Sequence, residues 1–320
     1  MQTARPPKPL IVTNCTGRKR HPALDGLTAR SLTPANCAAV AAEWVDRVQS
    51  AHWRFPANTL YCGRAVTETF ASAESTGAEV AFLSAGMGVV RRFSEVPAYN
   101  LTATPGYPDS VSQVVSGAYR PDLWWSALCS AMGQERPLTK LVADLARELI
   151  LLAMPTSYVS MVAEELVSWC PTDLRRLRIV GPRHADQLPT ELRACVMPYD
   201  TRLDSAASGF NGTASDFPHR ALRHFVQEVL PGAQGKSLEE HRKRVKKALS
   251  SFKSPVRIRG RSASDDEVRS ELTAMWKTHG GRRGLMLREL RSKRLIACEQ
   301  SRFKSLANQV EIRINGANKK

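Results

Sequence analysis

Two kinds of apolar run alternate along the first two thirds of the chain. Short β-branched runs bounded by polar turns read as buried strands at 9–14, 60–63, 79–84, 149–154, 178–180 and 195–198. Between them, apolar residues recur at helical spacing. Thr33-Pro34 offers an N-cap and a first turn to a helix carrying Trp44, Val45 and Val48 on one face. Helices over 64–75 and 158–169 follow, and Ser215-Asp216-Phe217-Pro218 caps one running to Val229. Strands alternating with amphipathic helices predict an α/β fold, a mostly parallel sheet flanked by helices on both faces. Ligands of such sheets bind at the carboxyl ends of strands near a topological switch point, which draws attention to the loops after Thr13 and Leu83.

Beyond the linker-like stretch Pro231-Gly-Ala-Gln-Gly235 the pattern becomes wholly helical, at 238–252, 265–278, 285–292 and 298–310. The turn His279-Gly-Gly-Arg-Arg-Gly284 separates two of these helices, an arrangement like a helix-turn-helix. The predicted organisation is an α/β domain over 1–235 followed by a small basic all-α domain over 236–320.

Charge sharpens this division. Residues 236–320 hold 23 Lys+Arg against 9 Asp+Glu, a net of +14, while the 320-residue chain as a whole is +16. A near-neutral body with a strongly basic helical appendix suits a protein that brings a site to a polyanion, with counterion release from phosphates supplying affinity. A solvated basic tail is the plainer alternative. The candidate phosphate contacts are Arg242, Lys243, Arg244, Lys246, Lys247, Arg282, Arg283, Arg288 and Arg291, with Arg18 and Lys19 in the loop after the first strand. Such contacts orient a duplex without reading its sequence. The expected partner is double-stranded DNA.

The seven cysteines are dispersed, with no CxxC and no Cys/His pair at metal-ligand spacing, so reduced thiols and no metal are expected. No run approaches the ~20 apolar residues of a membrane span. The first ten residues lack a signal-peptide core. A cytoplasmic protein without a membrane partner or cofactor is the expectation.

Walker loops, GxGxxG, HExxH and GxSxG are absent. Candidate chemistry lies in three loops: Asn14-Cys-Thr-Gly-Arg-Lys19, Tyr61-Cys-Gly-Arg64, and Leu83-Ser-Ala-Gly-Met-Gly-Val-Val90 with the later Val96-Pro-Ala-Tyr-Asn100. Asn14, at a strand end, either orients a water through its amide oxygen or pins its own turn. Ser84, Gly86 and Gly88 either admit a base or phosphate close to the backbone or mark a tight turn. Tyr99 and Asn100 are placed to stack on and hydrogen-bond a base, or to pack. Cys15, Thr16 and Met87 complete the candidate binding set. Asp109 is a candidate catalytic carboxylate or a helix cap, and Asp200 and Asp204 are outside candidates. The loop Gly209-Phe-Asn-Gly-Thr213 either presents amides to a phosphate or simply connects. Trp124 and Trp125 read as core.

The strand-Cys-Thr-x-x-Lys, Tyr-x-Gly and Leu-Ser-Ala-x-x-Gly-Val motifs, with the later Pro-x-Tyr-Asn, resemble a bacterial family. That family is distantly similar to the peroxide-stress protein YaaA and to α/β domains of the uracil-DNA glycosylase kind. The resemblance covers about the first third of the chain. Asn100 stands where the family pattern has Asp, and Met87 where it has an aromatic. The Leu287-Arg-x-Leu-Arg291 and Cys298-Glu-Gln-x-Arg-Phe303 patterns resemble the helical partner domain of similar proteins. The resemblance implies hydrolysis of an N-glycosidic bond, with Asn14 holding the water as an Asn does in similar mismatch-specific glycosylases. Similar proteins include an antiphage glycosylase that removes glucosylated hydroxymethylcytosine from viral DNA. The leading expectation is therefore a DNA N-glycosylase that flips and excises a modified base in antiviral defence. A non-enzymatic DNA-binding stress protein and an enzyme of free nucleosides are the alternatives.

Overall fold

Leu10, Ile11 and Val12 are completely buried because they form β1 (Leu10–Asn14), the middle strand of the principal sheet. The structure, a computed structural model, describes residues 8–145, 149–255 and 260–317. These fall into two compact units, Met1–Pro255 and Val256–Lys320.

In the first unit β1 leads through α1 (Cys37–Gln49), β2 (Phe55–Pro56), α2 (Ala57–Leu60) and α3 (Arg64–Thr76) to β3 (Glu79–Ser84). β4 (Gly88–Arg91) turns straight back along β3, and β5 (Glu95–Val96) pairs with β2 in a separate ribbon. Then α4 (Pro121–Ala131) and α5 (Pro137–Leu145) lead to β6 (Ile150–Ala153). Three short helices, α6 (Thr156–Met161), α7 (Ala163–Val167) and α8 (Pro171–Arg176), precede β7 (Leu177–Val180). α9 (Thr190–Cys195), α10 (Phe217–His224) with a π-helical turn over Phe225–Val229, and α11 (Leu238–Leu249) complete the unit.

The sheet order is β4-β3-β1-β6-β7, and only β4 is antiparallel to its neighbour. Every residue of β6 and β7 is buried, so both sheet faces are covered, as the continuous apolar runs predict. α3 and α10 pack together and reach β1, β3, β6 and β7, while α1 and α4 form a second pair joined by α6. The chain leaves β1 toward β3 on one side and later returns to β6 on the other. The carboxyl ends of β1 and β6 therefore flank the switch point.

Several local expectations shift. The strand expected at 60–63 is the end of α2, and Tyr61 makes only a single bridge, to Lys19. The strand expected at 195–198 is likewise one bridge from Val196 to Ile179, because Cys195 still closes α9. α1 starts after Asn36, whose side chain accepts from the Ala39 N–H at 3.0 Å, and not at Thr33-Pro34; the Thr33 N–H donates to Glu43 instead. The helix expected over 158–169 breaks at Val162 into α6 and α7. The first unit also extends past residue 235, since α11 buries Val245 and Leu249 in the first core.

The second unit contains α12 (Asp265–His279), α13 (Arg283–Ser292) and α14 (Gln300–Ala317) around Val268, Leu272, Met275, Met286, Leu290 and Phe303. α12 ends where Gly280 turns left-handed (φ 55°) and the Gly281 N–H closes back onto the Trp276 carbonyl at 3.1 Å. Among the described residues, no helix is long and apolar enough to cross a membrane.

Candidate functional site

β1 and β3 end side by side, joined by the Cys15 N–H donating to the Leu83 carbonyl at 2.9 Å. At this edge the Asn14 amide donates to the Cys15 carbonyl (2.8 Å), which orients its Oδ1 the other way. That oxygen is buried and has no hydrogen-bond partner among the described residues. A buried acceptor without a donor is rare in folded proteins and calls for an explanation. The same edge gathers three buried phenols. Tyr99 hydroxyl lies 2.5 Å from Ser84 Oγ and 2.9 Å from the Tyr61 hydroxyl. Tyr158 hydroxyl lies 3.8 Å from Cys15 Sγ and 3.4 Å from Thr102 Oγ1. Burial pushes all three phenols above the usual tyrosine range, so they are neutral donors at physiological pH.

Lys19 lies over two of these rings, Tyr99 and Tyr61. Its ammonium donates to the Thr16 carbonyl (3.0 Å) and lies 4.2 Å from the centroid of the Tyr99 ring. Burial lowers its pKa, opposed by the nearby Cys15, Asp109 and Cys62. Lys19, expected as an outer phosphate contact, is half-buried against the Tyr99 ring. The lysine covers the Tyr99 face, Trp44 meets that ring edge-on, and Tyr99 is 0 % exposed. Tyr99 therefore cannot stack on a base as expected; it supports the site from beneath.

The Ser84–Gly86 turn is also packed inward. Ala85 and Gly86 present their carbonyls to the indole N–H groups of Trp124 (2.7 Å) and Trp44 (2.6 Å). Ser84 Oγ accepts from the Gly86 and Met87 N–H groups. A Cβ on Gly86 would lie 3.0 Å from Trp44 and 3.1 Å from Tyr99, so packing, and not ligand approach, requires glycine here. Thr16 spends its hydroxyl on the Arg18 and Cys62 carbonyls. Asn100 anchors Leu27 and Ala29 through its backbone and keeps a partly exposed side chain, as does Met87.

Asp109 does not cap a helix; Ser110 does. Asp109 instead holds Arg30 through two hydrogen bonds, at 2.9 and 3.2 Å. Asp200 caps a 3-10 turn and pairs with Arg202, and Asp204 pairs with the buried Arg220. Both are structural. The 209–213 loop is a connection stitched by Arg220, which donates to the Phe210 and Thr213 carbonyls. Among the described residues no three His, Cys, Asp or Glu side chains converge as metal ligands.

Sequence reasoning missed His219. Its Nε2 lies 2.8 Å from Thr13 Oγ1, which itself donates to the Ala153 carbonyl at 3.0 Å, so the ring clamps β1 and β6 at the switch point. Gly181 makes this possible: a Cβ there would fall 2.3 Å from Pro218, in the first turn of α10. Burial pushes the His219 pKa down to about 4, and that of His224 likewise to about 4. Both are neutral when folded, whereas an unfolded histidine takes a proton below about pH 6.5. The unfolded state therefore binds more protons between those values, and stability present above pH 6.5 is lost as pH falls toward 4. Each ring contributes about 3 kcal/mol to that loss. Denaturant midpoints of the first unit measured from pH 7 to 4 are expected to fall steeply, and His219→Gln to flatten the fall by its own share, the buried His224 and His241 keeping the rest. An unchanged slope would place His219 in contact with solvent.

The cations divide sharply. Arg242 is drawn onto the Ala194 and Val196 carbonyls and Arg244 toward Pro231 and Gly232, whereas Lys243, Lys246 and Lys247 are exposed on one face of α11. In the second unit Arg283 pairs with Glu311 and Arg291 donates to the Cys298 carbonyl. Arg282, the N-cap of α13, and Arg288 within it are exposed with no carboxylate in pairing range among the described residues. Arg18 is exposed beside the site. No known family model, curated protein or solved structure matches this chain.

Proposed function

We propose that the chain is a DNA N-glycosylase whose reaction centre is the edge formed by Asn14, Cys15 and Lys19. The carrying observation is the buried Asn14 Oδ1, an acceptor without a donor among the described residues at the end of the central strand, in the same loop that carries Lys19. In this reading the edge opens as a nucleotide enters the switch point, and a water admitted to this oxygen, held through one hydrogen, faces C1′. The C1′–N bond breaks with its electron pair leaving on the base, and the water oxygen bonds to the resulting oxocarbenium carbon and releases a proton to solvent. Lys19 stabilises the charge that develops on the departing base. A duplex base must be flipped out to reach this edge. Met87 and Asn100, both partly exposed at the neighbouring loops, are the side chains left to contact it once Tyr99 is withdrawn.

The parallel order β3-β1-β6-β7, with the site at the end of β1, supports the resemblance to uracil-DNA glycosylase-like domains. That resemblance makes glucosylated hydroxymethylcytosine of phage DNA the substrate to try first, with antiviral defence as the setting. The runner-up is DNA binding without chemistry. It needs the same exposed cations but leaves Asn14 Oδ1 without a role.

Replacing Lys243, Lys246 and Lys247 by Gln is expected to weaken duplex binding uniformly across sequences. The slope of log affinity against log salt falls by about 3, roughly one per phosphate contact. Arg282→Gln with Arg288→Gln should lower it by about 2. Base release at saturating DNA is expected to stay unchanged in both. Unaltered affinity and slope in both variants would remove these lysines and arginines from the DNA grip.

A further inference from the structure

At the opposite edge of the sheet, where β1, β6 and β7 begin, a cavity of about 740 Å³ opens between Pro9, Leu149, Arg178 and the start of α11. Four cationic side chains, Arg175, Arg176, Arg178 and Lys236, contribute to its lining, Arg176 being paired with Asp173, and among the described residues no carboxylate lines it. Arg178 is the telling one. It is 2 % exposed, yet none of its hydrogen-bond partners is acidic. Nε donates to His241 Nδ1 (2.8 Å), Nη1 to the Arg175 and Leu177 carbonyls (2.7 and 3.0 Å), and Nη2 to the Lys236 carbonyl (3.2 Å). Those bonds use four of the five guanidinium N–H groups. His241 passes its own Nε2–H to the Ala233 carbonyl at 2.9 Å, so the ring accepts from Arg178 as a neutral imidazole. A buried cation held rigidly by partners that are all neutral among the described residues is an unfavourable arrangement unless an anion completes it.

We infer that this cavity binds a nucleoside phosphate, the phosphate set against Arg178, Arg175 and Lys236. Ser237, the N-cap of the twelve-residue α11, also lines the cavity, so the positive end of that helix faces the same space. Leu149, Val226, Leu230 and Pro231 supply an apolar wall for a flat base, with Gln227 and Gln234 available for its polar edge. The volume falls in the range of sites for small organic ligands. Recessed Arg178 favours a small molecule over a DNA backbone, which follows convex surface cations and does not reach a side chain 98 % enclosed. The site lies at the opposite strand ends from Asn14 and does not depend on the glycosylase reading.

Isothermal titration of the full chain with AMP, inorganic phosphate and adenosine tests this. Expected is saturable AMP binding, weaker phosphate binding that competes with AMP, and none for adenosine at the same concentrations. Arg175→Gln with Lys236→Gln, both at exposed positions, should weaken AMP at least tenfold with the melting temperature unchanged. Arg178→Met should abolish it. No saturable binding of AMP or phosphate below about 1 mM, or AMP binding indifferent to the exposed pair, overturns the inference. So does a result in which that pair lowers only the affinity for a DNA duplex, which would make the cavity rim part of the DNA grip.

Discussion

Asn14→Ala is expected to lower base release by about 10²-fold while leaving DNA affinity at the wild-type level, the scale on which losing the group that positions a reactant costs rate. The reason is geometric. Asn14 Nδ2 is tied to the Cys15 carbonyl, so Oδ1 is fixed in place before any substrate arrives, and alanine leaves nothing to hold the water. Asn14→Asp keeps an acceptor at that position and should retain more activity than alanine. If Asn14 only pinned its turn, both variants would lower the melting temperature, and base release would fall no further than the folded fraction. Single-turnover rates beside melting curves separate these outcomes.

The largest expected effect on stability comes from Arg220→Met. Arg220 is 0 % exposed and bonds Asp216 at 2.6 Å, Asp204 at 2.9 Å, and the carbonyls of Phe210 and Thr213. A methionine fills the volume but leaves two buried carboxylates and two carbonyls without this partner. Breaking a buried ion pair from one side costs about 3–5 kcal/mol. Arg64 near Asp216 and Arg183 near Asp204 remain as second cations, which favours the lower end. The first unit should melt about 6–12 °C lower, at 2–4 °C per kcal/mol for a chain of this size. Asp204→Asn and Asp216→Asn added to Arg220→Met should recover part of the loss by removing the stranded charges. A melting temperature within about 2 °C of wild type would show that the network does not hold the loop to α10.

The central strands and the long helices were legible because burial on both faces leaves continuous apolar runs and amphipathic stripes in the chain itself. The position of Asn14 was legible for a related reason: a polar residue closing an apolar run marks the carboxyl end of the strand. Tyr99 was not. Its burial depends on Trp44, Gly86 and Lys19, which reach it from three distant segments. The fate of each cation was equally hidden. Arg282 and Arg283 are adjacent, and only the second meets Glu311 across the helices. His219 carried no signal beyond its type, since its partner Thr13, itself bonded to Ala153, is placed by sheet register. Arg178 read as an ordinary strand residue, and that its hydrogen-bond partners among the described residues are all neutral is a fact of packing. β4 escaped notice because its glycine-led start merges with the loop after β3.

Base release tests the central claim most directly. The purified chain is incubated with unmodified DNA, uracil-containing DNA and phage DNA carrying glucosylated hydroxymethylcytosine, and abasic sites and free base are assayed together. The account predicts abasic sites and matching free base from the phage DNA and none from unmodified DNA. Tight binding to all three with no base released from any would contradict it.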